Sequence, residues 1–354
     1  LKLRLFKPFW PRLIGGPRGG RRAWDRAARL PGWRMLKNIS NWLGGISEEG
    51  EEQSVGDVGR YGEDRLREIS LEYQESTLEA ATQNWAPARK LGAGNYGAVF
   101  RGTLPDGHDV AIKVIDINED DDGAHGFADE VRVLSKFRHP NLVTLMGWAM
   151  SGVKHGKSKR YLVYECLTGG DVNQRLLASR NDGGRPFYWQ ERLWVALDAA
   201  CGLAHMHNSH PKAFHRDIKS PNILLDRSGT AKMADFGLSG IAKNKEKLNM
   251  TCEQIAGTPG YACPHYIKTG RVTEQTEVYA FGMVMLELLL NSMPACLGQG
   301  GNIVYPIFQV VQPTTPGALD RALAAVDAKA NWPPQLAREL AEFALKCSDM
   351  RMEN

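Results

Sequence analysis

The chain has 354 residues, of which 43% are hydrophobic and 24% are charged, values that are ordinary for a globular protein. Its longest apolar stretch, residues 280–290, is interrupted by Glu287, so the sequence predicts a core helix there rather than a membrane span. The six cysteines show no CxxC or other metal-ligand spacing, which argues against a zinc module. We therefore expect reduced thiols and a cytoplasmic location.

Charge is distributed unevenly over the first 80 residues. Residues 1–45 carry eleven Lys and Arg against Asp25 alone, whereas residues 46–80 carry eleven Asp and Glu against three Arg. The basic stretch could contact anionic lipid, nucleic acid or an import receptor, but its composition favours a charge-solvated tail. We predict a charged, disordered region at 1–68, a lead-in segment at 69–84 and one globular domain at 85–354, with no clear nucleic-acid or membrane partner.

The first motif of the globular part reads LGAGNYGAV over residues 91–99. Phosphate oxygens need backbone amides at close range, and a side chain at the glycine positions would obstruct that approach. Strands are predicted at 98–103 and 110–115, with a Pro-Asp-Gly turn between them. Because no helix follows the glycines, the motif predicts a phosphate-covering loop between strands and argues against a dinucleotide site.

A lysine inside the second of these strands needs an explanation. Lys113 lies in the apolar sequence VAIKVI, where an ammonium group without an anionic partner would be costly. A helix is predicted around residues 127–134, with Phe127, Val131 and Leu134 on one face. Asp129 and Glu130 are the acidic candidates on this helix, and they point to different faces.

The most informative motif is HRDIKSPNIL, residues 215–224. Asp217 can accept a proton from an attacking hydroxyl, and Lys219 can balance charge on a transferring phosphoryl group. Asn222 offers a carbonyl oxygen to a hard divalent cation such as Mg²⁺. Thirteen residues after it, Asp235 in the sequence ADFG adds a second carboxylate of the kind that binds metal. Two such motifs in this order argue against a chance match.

Together these segments resemble the glycine-rich loop, the catalytic loop and the metal-binding triplet of protein kinases. The resemblance implies the bilobal α+β fold of that family. An N-lobe with a small antiparallel sheet and one helix is expected at 85–165, and a mainly helical C-lobe, lacking its last helix, at 168–354. The resemblance also implies ATP as the phosphate donor, with Mg²⁺, or Mn²⁺ in its place, as the metal ion.

The resemblance assigns a role to each candidate site residue. The expected catalytic residues are Asp217, Lys219, Lys113 and Glu130, with Glu130 rather than Asp129 paired with Lys113. The expected metal ligands are Asn222 and Asp235, and His215 is interpreted as a buried scaffold residue. The residues expected to bind the nucleotide are Gly92, Ala93, Gly94, Asn95, Tyr96, Gly97, Val99, Ala111, Lys113, Glu165, Leu167, Asp171 and Leu224. Asp171 could equally cap the helix that begins near Val172, so both interpretations stay open.

Further segments narrow the resemblance to one group. The lead-in and the sequences GTLPDG (102–107) and RHPNLV (138–143) are similar to plant receptor-like, Pelle and interleukin-receptor-associated kinases. Lys219 and the sequence GTPGY (257–261) are similar to serine/threonine-directed kinases, in which Thr258 would link Asp217 with Lys219. We therefore expect an ATP-dependent serine/threonine protein kinase of the tyrosine-kinase-like group, acting on protein substrates in signalling.

Two departures from the family pattern favour an alternative, a catalytically impaired scaffold or binding module. His265 stands where the family has the glutamate of Ala-Pro-Glu. Glu277 replaces an aspartate, and its extra methylene is expected to weaken the frame around the catalytic loop.

The sequence also predicts a site of regulation. Phosphorylation of Thr251, by an activating kinase or by the chain itself, would bring negative charge to Arg216 and order the segment between them.

Overall fold

The computed structural model describes residues 64–94, 97–118, 127, 131–132, 134–152, 157–209, 212–236, 240–241, 249–251 and 256–349. Within these residues, no helix is both long and apolar enough to cross a membrane.

The N-terminal part is built on one antiparallel sheet of five strands. The strands are β1 (Lys90–Gly94), β2 (Gly97–Thr103), β3 (Asp109–Asn118), β4 (Leu145–Met150) and β5 (Lys157–Glu165). Their order across the sheet is β1-β2-β3-β5-β4, so β3 lies in the centre. The centre of β3 is buried, as its apolar alternation requires, with Val110 and Ile112 fully enclosed. Lys113 follows directly and therefore reaches the opposite face of the sheet.

Two short helices precede the sheet. Helix α1 (Asp64–Ile69), with Leu66 buried, falls mostly within the stretch predicted to be disordered, and α2 (Glu75–Ala81) lies in the predicted lead-in segment. Glu72 forms a parallel bridge with Trp148 of β4, and the hydroxyl of Tyr161 in β5 donates to Glu75 Oε1 at 2.6 Å. Gly147 makes the crossing possible, because an added Cβ would lie 2.4 Å from the carbonyl oxygen of Leu71. Residues 64–81 are thus an integral part of the N-terminal packing.

The C-terminal part is mainly helical. Its helices are α3 (Val172–Arg180), α4 (Trp189–His207), α5 (Pro264–Thr269), α6 (Glu274–Leu290), α7 (Pro306–Val311), α8 (Ala318–Ala324) and α9 (Pro334–Cys347). Helix α6 forms the core of this part, since nearly all of its side chains are buried. It begins at a Thr273 cap, whose hydroxyl accepts from the Thr276 N–H, and it ends at Asn291 in the left-handed conformation.

Short antiparallel strand pairs occupy the loops of the C-terminal part. The strands are β6 (Ala213–Phe214), β7 (Ile223–Leu225), β8 (Ala231–Met233), β9 (Gly240–Ile241), β10 (Asn249–Thr251), β11 (Arg271–Thr273), β12 (Cys296–Leu297) and β13 (Ile303–Val304). They pair as β6–β9, β7–β8, β10–β11 and β12–β13. The β7–β8 hairpin holds the two predicted catalytic segments together, because Asp217 precedes β7 and Asp235 follows β8.

Candidate active site

The loop between β6 and β7 presents Asp217 through an uncommon backbone conformation. Arg216 adopts φ 71°, a left-handed conformation that costs energy for a non-glycine residue. Its N–H donates to Glu277 Oε1 at 2.6 Å, and this carboxylate, on the buried helix α6, holds the loop in place. His215 is fully buried, and its Nε2 lies 3.1 Å from the Ala234 carbonyl oxygen, which fits the predicted scaffold role.

Three side chains converge on the Asp217 carboxylate, which is only 7% exposed. The Thr258 hydroxyl donates to Oδ1 at 2.7 Å, and the Lys219 ammonium group lies 2.7 Å from Oδ2. Lys219 also donates to the Thr258 hydroxyl at 3.0 Å, so Thr258 links the two residues as predicted. The Asn222 amide nitrogen donates to Oδ2 at 3.0 Å. The carboxylate is therefore fixed in position with a compensating cation beside it.

Asp235 faces this group from the end of β8. It also has a left-handed backbone, with φ 62°, and its Oδ1 accepts from Lys113 Nζ at 3.1 Å. Burial by itself would raise the pKa of Asp235, but the charge and hydrogen bond of Lys113, aided by His215 and Lys219, outweigh it and lower the pKa. Asp235 is thus kept ionised, as a metal ligand must be.

Asn222 and Asp235 fit the requirements of a hard divalent cation. The main-chain carbonyl oxygen of Asn222 accepts from the Ala234 N–H at 2.8 Å. This bond holds Asn222 next to Asp235, the residue that follows Ala234. The Asn222 amide nitrogen faces Asp217, so its Oδ1 is turned away from that carboxylate. Such a small set of oxygen ligands suits Mg²⁺, which keeps several water molecules in its shell.

Glycines of the predicted phosphate-covering loop serve two different purposes. Gly97 has φ 119°, and an added Cβ would lie 1.8 Å from the Val114 carbonyl oxygen, so the hairpin itself requires a glycine. At Gly92 a Cβ would meet nothing within 4 Å, which leaves open space over the loop. Ala93 and Gly94 lie in β1, whereas Asn95 and Tyr96 lie outside the described residues.

Three apolar residues among those expected to bind the nucleotide come from both parts of the chain. Val99, Ala111 and Leu224 are all partly exposed, as residues that line an open cleft should be. Ala111 lies opposite Tyr164 in the sheet, and Leu224 forms a bridge with Asp171. A nucleotide site that uses all three would lie between the sheet and the β7–β8 hairpin.

Glu165, another residue expected to bind the nucleotide, is held by neighbouring residues. The Glu165 carboxylate binds Lys232 Nζ at 2.7 Å and accepts from the Thr144 N–H at 2.8 Å. The Glu165 N–H donates to the Thr144 carbonyl oxygen, so this N–H already has an acceptor and is not the group that would bind a nucleotide. Leu167, two residues on, is partly exposed.

Asp171 caps helix α3. Its Oδ1 accepts from the Gln174 N–H at 2.8 Å, which supports the second of the two interpretations that the sequence leaves open. Burial raises the pKa of Asp171, and the capping hydrogen bonds oppose that shift. Contact with a ribose stays a prediction.

Two expectations can be followed only in part. Glu130 lies outside the described residues, although Phe127, Val131 and Leu134 are buried as the predicted helix face requires. The backbone of Thr251 lies in β10, opposite Arg271 in β11, and its side chain lies outside the described part.

Glu277 was expected to weaken the support of the catalytic loop, and the structure shows that this expectation is wrong. Its longer side chain still accepts from the Arg216 N–H, and its Oε2 also lies 2.6 Å from His207 Nε2. Helix α6 therefore accommodates the extra methylene without losing its hold on the catalytic loop.

A second buried carboxylate near Asp217 was not predicted to belong to the site. Glu287 accepts from the Tyr261 hydroxyl at 2.7 Å and from the Ser220 hydroxyl at 2.8 Å, with the Asn173 amide at 3.5 Å. It thereby joins helix α6 to the catalytic loop, to the segment containing Thr258 and to α3. The signal in the sequence is its position inside an apolar helix, because a carboxylate there must find donors.

The chain is similar to known proteins over most of its length. The family described as protein kinase domain matches residues 85–354. A probable receptor-like protein kinase of Arabidopsis thaliana is 36% identical over 259 residues, which cover 73% of this chain and 41% of the relative. A probable serine/threonine-protein kinase of the same plant is 39% identical over 243 residues, covering 67% of this chain and 62% of the relative. A receptor protein kinase of Oryza sativa subsp. japonica is 39% identical over 221 residues, 62% of this chain and 23% of the relative. The chain thus spans less than two thirds of the length of each of these curated relatives.

Proposed function

Because this chain belongs to the protein kinase family, we propose that it transfers the γ-phosphate of ATP to serine and threonine hydroxyls of protein substrates. The family match confirms the predicted family and the predicted bilobal α+β fold. The relative named as a probable serine/threonine-protein kinase supports the proposed class of acceptor. A role in signalling accords with the receptor-like kinases among the relatives.

One observation supports this function above the others: Thr258 joins the proton acceptor and the cation of the site. Its hydroxyl lies 2.7 Å from Asp217 Oδ1 and 3.0 Å from Lys219 Nζ. A substrate hydroxyl that approaches Asp217 can lose its proton to the carboxylate while its oxygen forms the new bond to phosphorus and the bond to ADP breaks. Lys219 then balances the negative charge that gathers on the transferring group.

Lys113 and the two oxygen ligands serve the phosphate side of the reaction. Lys113 Nζ lies 3.1 Å from Asp235 Oδ1, so its ammonium group is beside a candidate metal ligand, where it would bind the α- and β-phosphates. Asn222 and Asp235 would hold Mg²⁺, or Mn²⁺ in its place. When bound, the metal ion neutralises phosphate charge.

Regulation through Thr251 belongs to the same proposal. Its backbone lies opposite Arg271, so a phosphate on Thr251 would enter a region that already contains a cation on the partner strand. The phosphate could come from an activating kinase or from the chain itself.

The decisive experiment is transfer of labelled γ-phosphate to a generic basic protein, with Asp217→Asn beside the parent. The variant keeps the shape of the side chain but loses the proton acceptor, so we expect kcat to fall by at least about 100-fold. Asp182→Asn is the matched control, because this carboxylate is fully exposed on the surface. EDTA should abolish the transfer and added Mg²⁺ should restore it. Equal transfer by Asp217→Asn and the parent would overturn the proposal.

A further inference from the structure

Four exposed apolar side chains gather beside the segment that carries Thr258. Eleven large hydrophobic side chains are exposed among the described residues, and four of them fall within residues 297–310. They are Leu297 (77% exposed), Ile303 (47%), Tyr305 (39%) and Val310 (49%). We call these four residues the apolar hairpin patch. Single exposed apolar residues are normal, whereas the largest apolar patch on a monomer is often an interaction site.

The four residues lie in one hairpin and in the helix that follows it directly. Leu297 in β12 lies directly opposite Ile303 in β13, so their side chains share one face of the hairpin. The turn is closed by backbone bonds, with the Gly298 N–H donating to the Asn302 carbonyl oxygen at 2.8 Å. Tyr305 then leads directly into helix α7, which carries Val310.

Charge is absent from the whole surrounding segment. Residues 291–319 contain no Asp, Glu, Lys, Arg or His, although charged residues make up 24% of the chain. An acidic or basic segment finds no complementary side chain within this stretch, and the adjacent Arg321 guanidinium is already bonded to the Val311 and Gln312 carbonyl oxygens. The surface therefore fits an apolar partner segment.

The patch is continuous with the loop that contacts Asp217. An added Cβ on Gly260 would lie 2.7 Å from the Pro294 carbonyl carbon and 2.9 Å from the Ala295 nitrogen, so the two backbones touch. Gly260 follows Thr258 by two residues, and Leu297 follows Ala295 by two. Chain lengths along this route limit the separation of Asp217 and Leu297 to about 25 Å, which an extended peptide covers in about seven residues.

We propose that the apolar hairpin patch binds an apolar segment of the protein substrate, within about eight residues of the serine or threonine that is phosphorylated. The inference rests on the proposed kinase activity and adds the class of substrate. A second copy of this chain is a poorer occupant, because the four side chains expose roughly 400 Å², about half of what each partner buries in a stable interface. Weak, transient binding suits a substrate that must leave after each turnover.

The test uses a library of 17-residue peptides with a single central serine. In each peptide one of the eight positions on either side holds Leu or, in the matched peptide, Glu. We expect the parent to favour Leu over Glu by about 5- to 10-fold in kcat/KM at one group of neighbouring positions. The double variant Leu297→Glu with Ile303→Glu should lose this preference while peptides without Leu are phosphorylated at the parental rate. Trp194→Glu, which changes a 49% exposed residue outside the patch, should keep the preference.

Binding is measured separately so that the inference does not depend on turnover. A fluorescein-labelled peptide with Leu at the favoured position, or at positions five to seven on both sides if no phosphate is transferred, should bind the parent more tightly than the double variant. Failure of phosphate transfer alone counts against the proposed function, whereas the binding difference still tests the patch. Equal preference or equal binding in parent and double variant overturns the inference. So does a concentration-dependent dimer of the parent that the double variant abolishes, since the patch would then be occupied by a second copy.

Discussion

Helix α6 carries one buried carboxylate near each end, and the two ends stabilise the catalytic loop by different electrostatics. Glu277, at the N-terminal end, contacts the Arg216 N–H and His207, whereas Glu287, at the C-terminal end, contacts the hydroxyls of Ser220 and Tyr261. Burial raises the pKa of both residues, but the hydrogen bonds and charge of His207, with the Arg216 N–H, more than reverse this effect at Glu277. Its pKa is therefore lowered.

Glu287 shows the opposite result under the same burial. Burial raises its pKa to about 7, because the donors that oppose the shift are the neutral groups of Tyr261, Ser220 and Asn173, and Arg180 adds only a smaller favourable charge. The comparison shows that the hydrogen-bond donors and charges around a buried glutamate, rather than its depth of burial, decide whether it is ionised. One end of the helix holds the loop with a fixed charge, and the other holds it with a group that titrates near neutral pH.

Among the variants considered, removal of the Glu277 carboxylate should have the largest effect. Glu277→Ala leaves the Arg216 N–H and His207 without their acceptor in the core, and we expect the free energy of unfolding to fall by about 3–5 kcal/mol. Because Asp217 would lose its alignment, kcat should fall by roughly 100-fold. Urea midpoints and phosphate transfer measure the two effects.

Glu274→Ala is the matched control for that variant. Glu274 lies three residues earlier on the same helix and pairs with Lys212 where both side chains are partly exposed. We expect a loss of less than about 1 kcal/mol there. Equal losses for the two variants would contradict the assigned role of Glu277.

Glu287 should make the free energy of unfolding depend on pH. The folded-state pKa of Glu287 is raised from 4.5 to about 7, so between these values the folded state holds a proton that the unfolded state has released. The free energy of unfolding should therefore fall as pH rises from about 4.5 to 7, by at most roughly 3 kcal/mol. Glu287→Gln should remove this decline, as measured by urea unfolding at a series of pH values.

Glu277→Gln provides the opposite control within the same helix. The pKa of Glu277 is lowered, so its contribution to stability is present above the unfolded-state pKa and disappears as pH falls through the folded-state pKa. The stability difference between the parent and Glu277→Gln should thus grow with rising pH in the acid range. If both glutamine variants change the pH profile with the same sign, the contrast between the two ends is wrong.

The smallest effect is expected from Tyr261→Phe. The variant loses the hydroxyl that lies 2.7 Å from Glu287, which should cost about 1 kcal/mol of stability. Because that donor favours the ionised carboxylate, its loss should raise the pKa of Glu287 further and extend the decline of stability to higher pH. Tyr305→Phe, at an exposed tyrosine, should leave the pH profile unchanged.

Much of the site could be predicted from short-range sequence alone. Asp217, Asn222 and Asp235 lie at fixed spacings in loops bordered by apolar strands, and those spacings survive in any fold that forms the β7–β8 hairpin. The link from Asp217 through Thr258 to Lys219 spans about 40 positions, so it was predicted through the family resemblance rather than through spacing, and the structure confirms it. Lys113 was predicted to pair with Glu130, which lies outside the described residues, whereas its contact with Asp235, 122 positions away, was not predicted.

The contacts that could not be predicted join residues far apart in the chain. Ser220 and Glu287 are 67 positions apart, and His207 and Glu277 are 70 apart. Local patterns carry no information on such pairs beyond the demand that a buried carboxylate find donors. The sequence therefore indicated that Glu287 is unusual without indicating its partners.

By itself, then, the sequence determined the family, the order of the catalytic motifs and the candidate ligands, because these depend on residue types at short spacings. The tertiary structure alone decided that Gly97 serves the hairpin, that Asp171 caps a helix and that Glu277 still grips the loop. It also decided that two glutamates on one helix have opposite pKa shifts. Each of these depends on which groups the fold brings within hydrogen-bonding distance, and that distance is set by packing rather than by spacing along the chain.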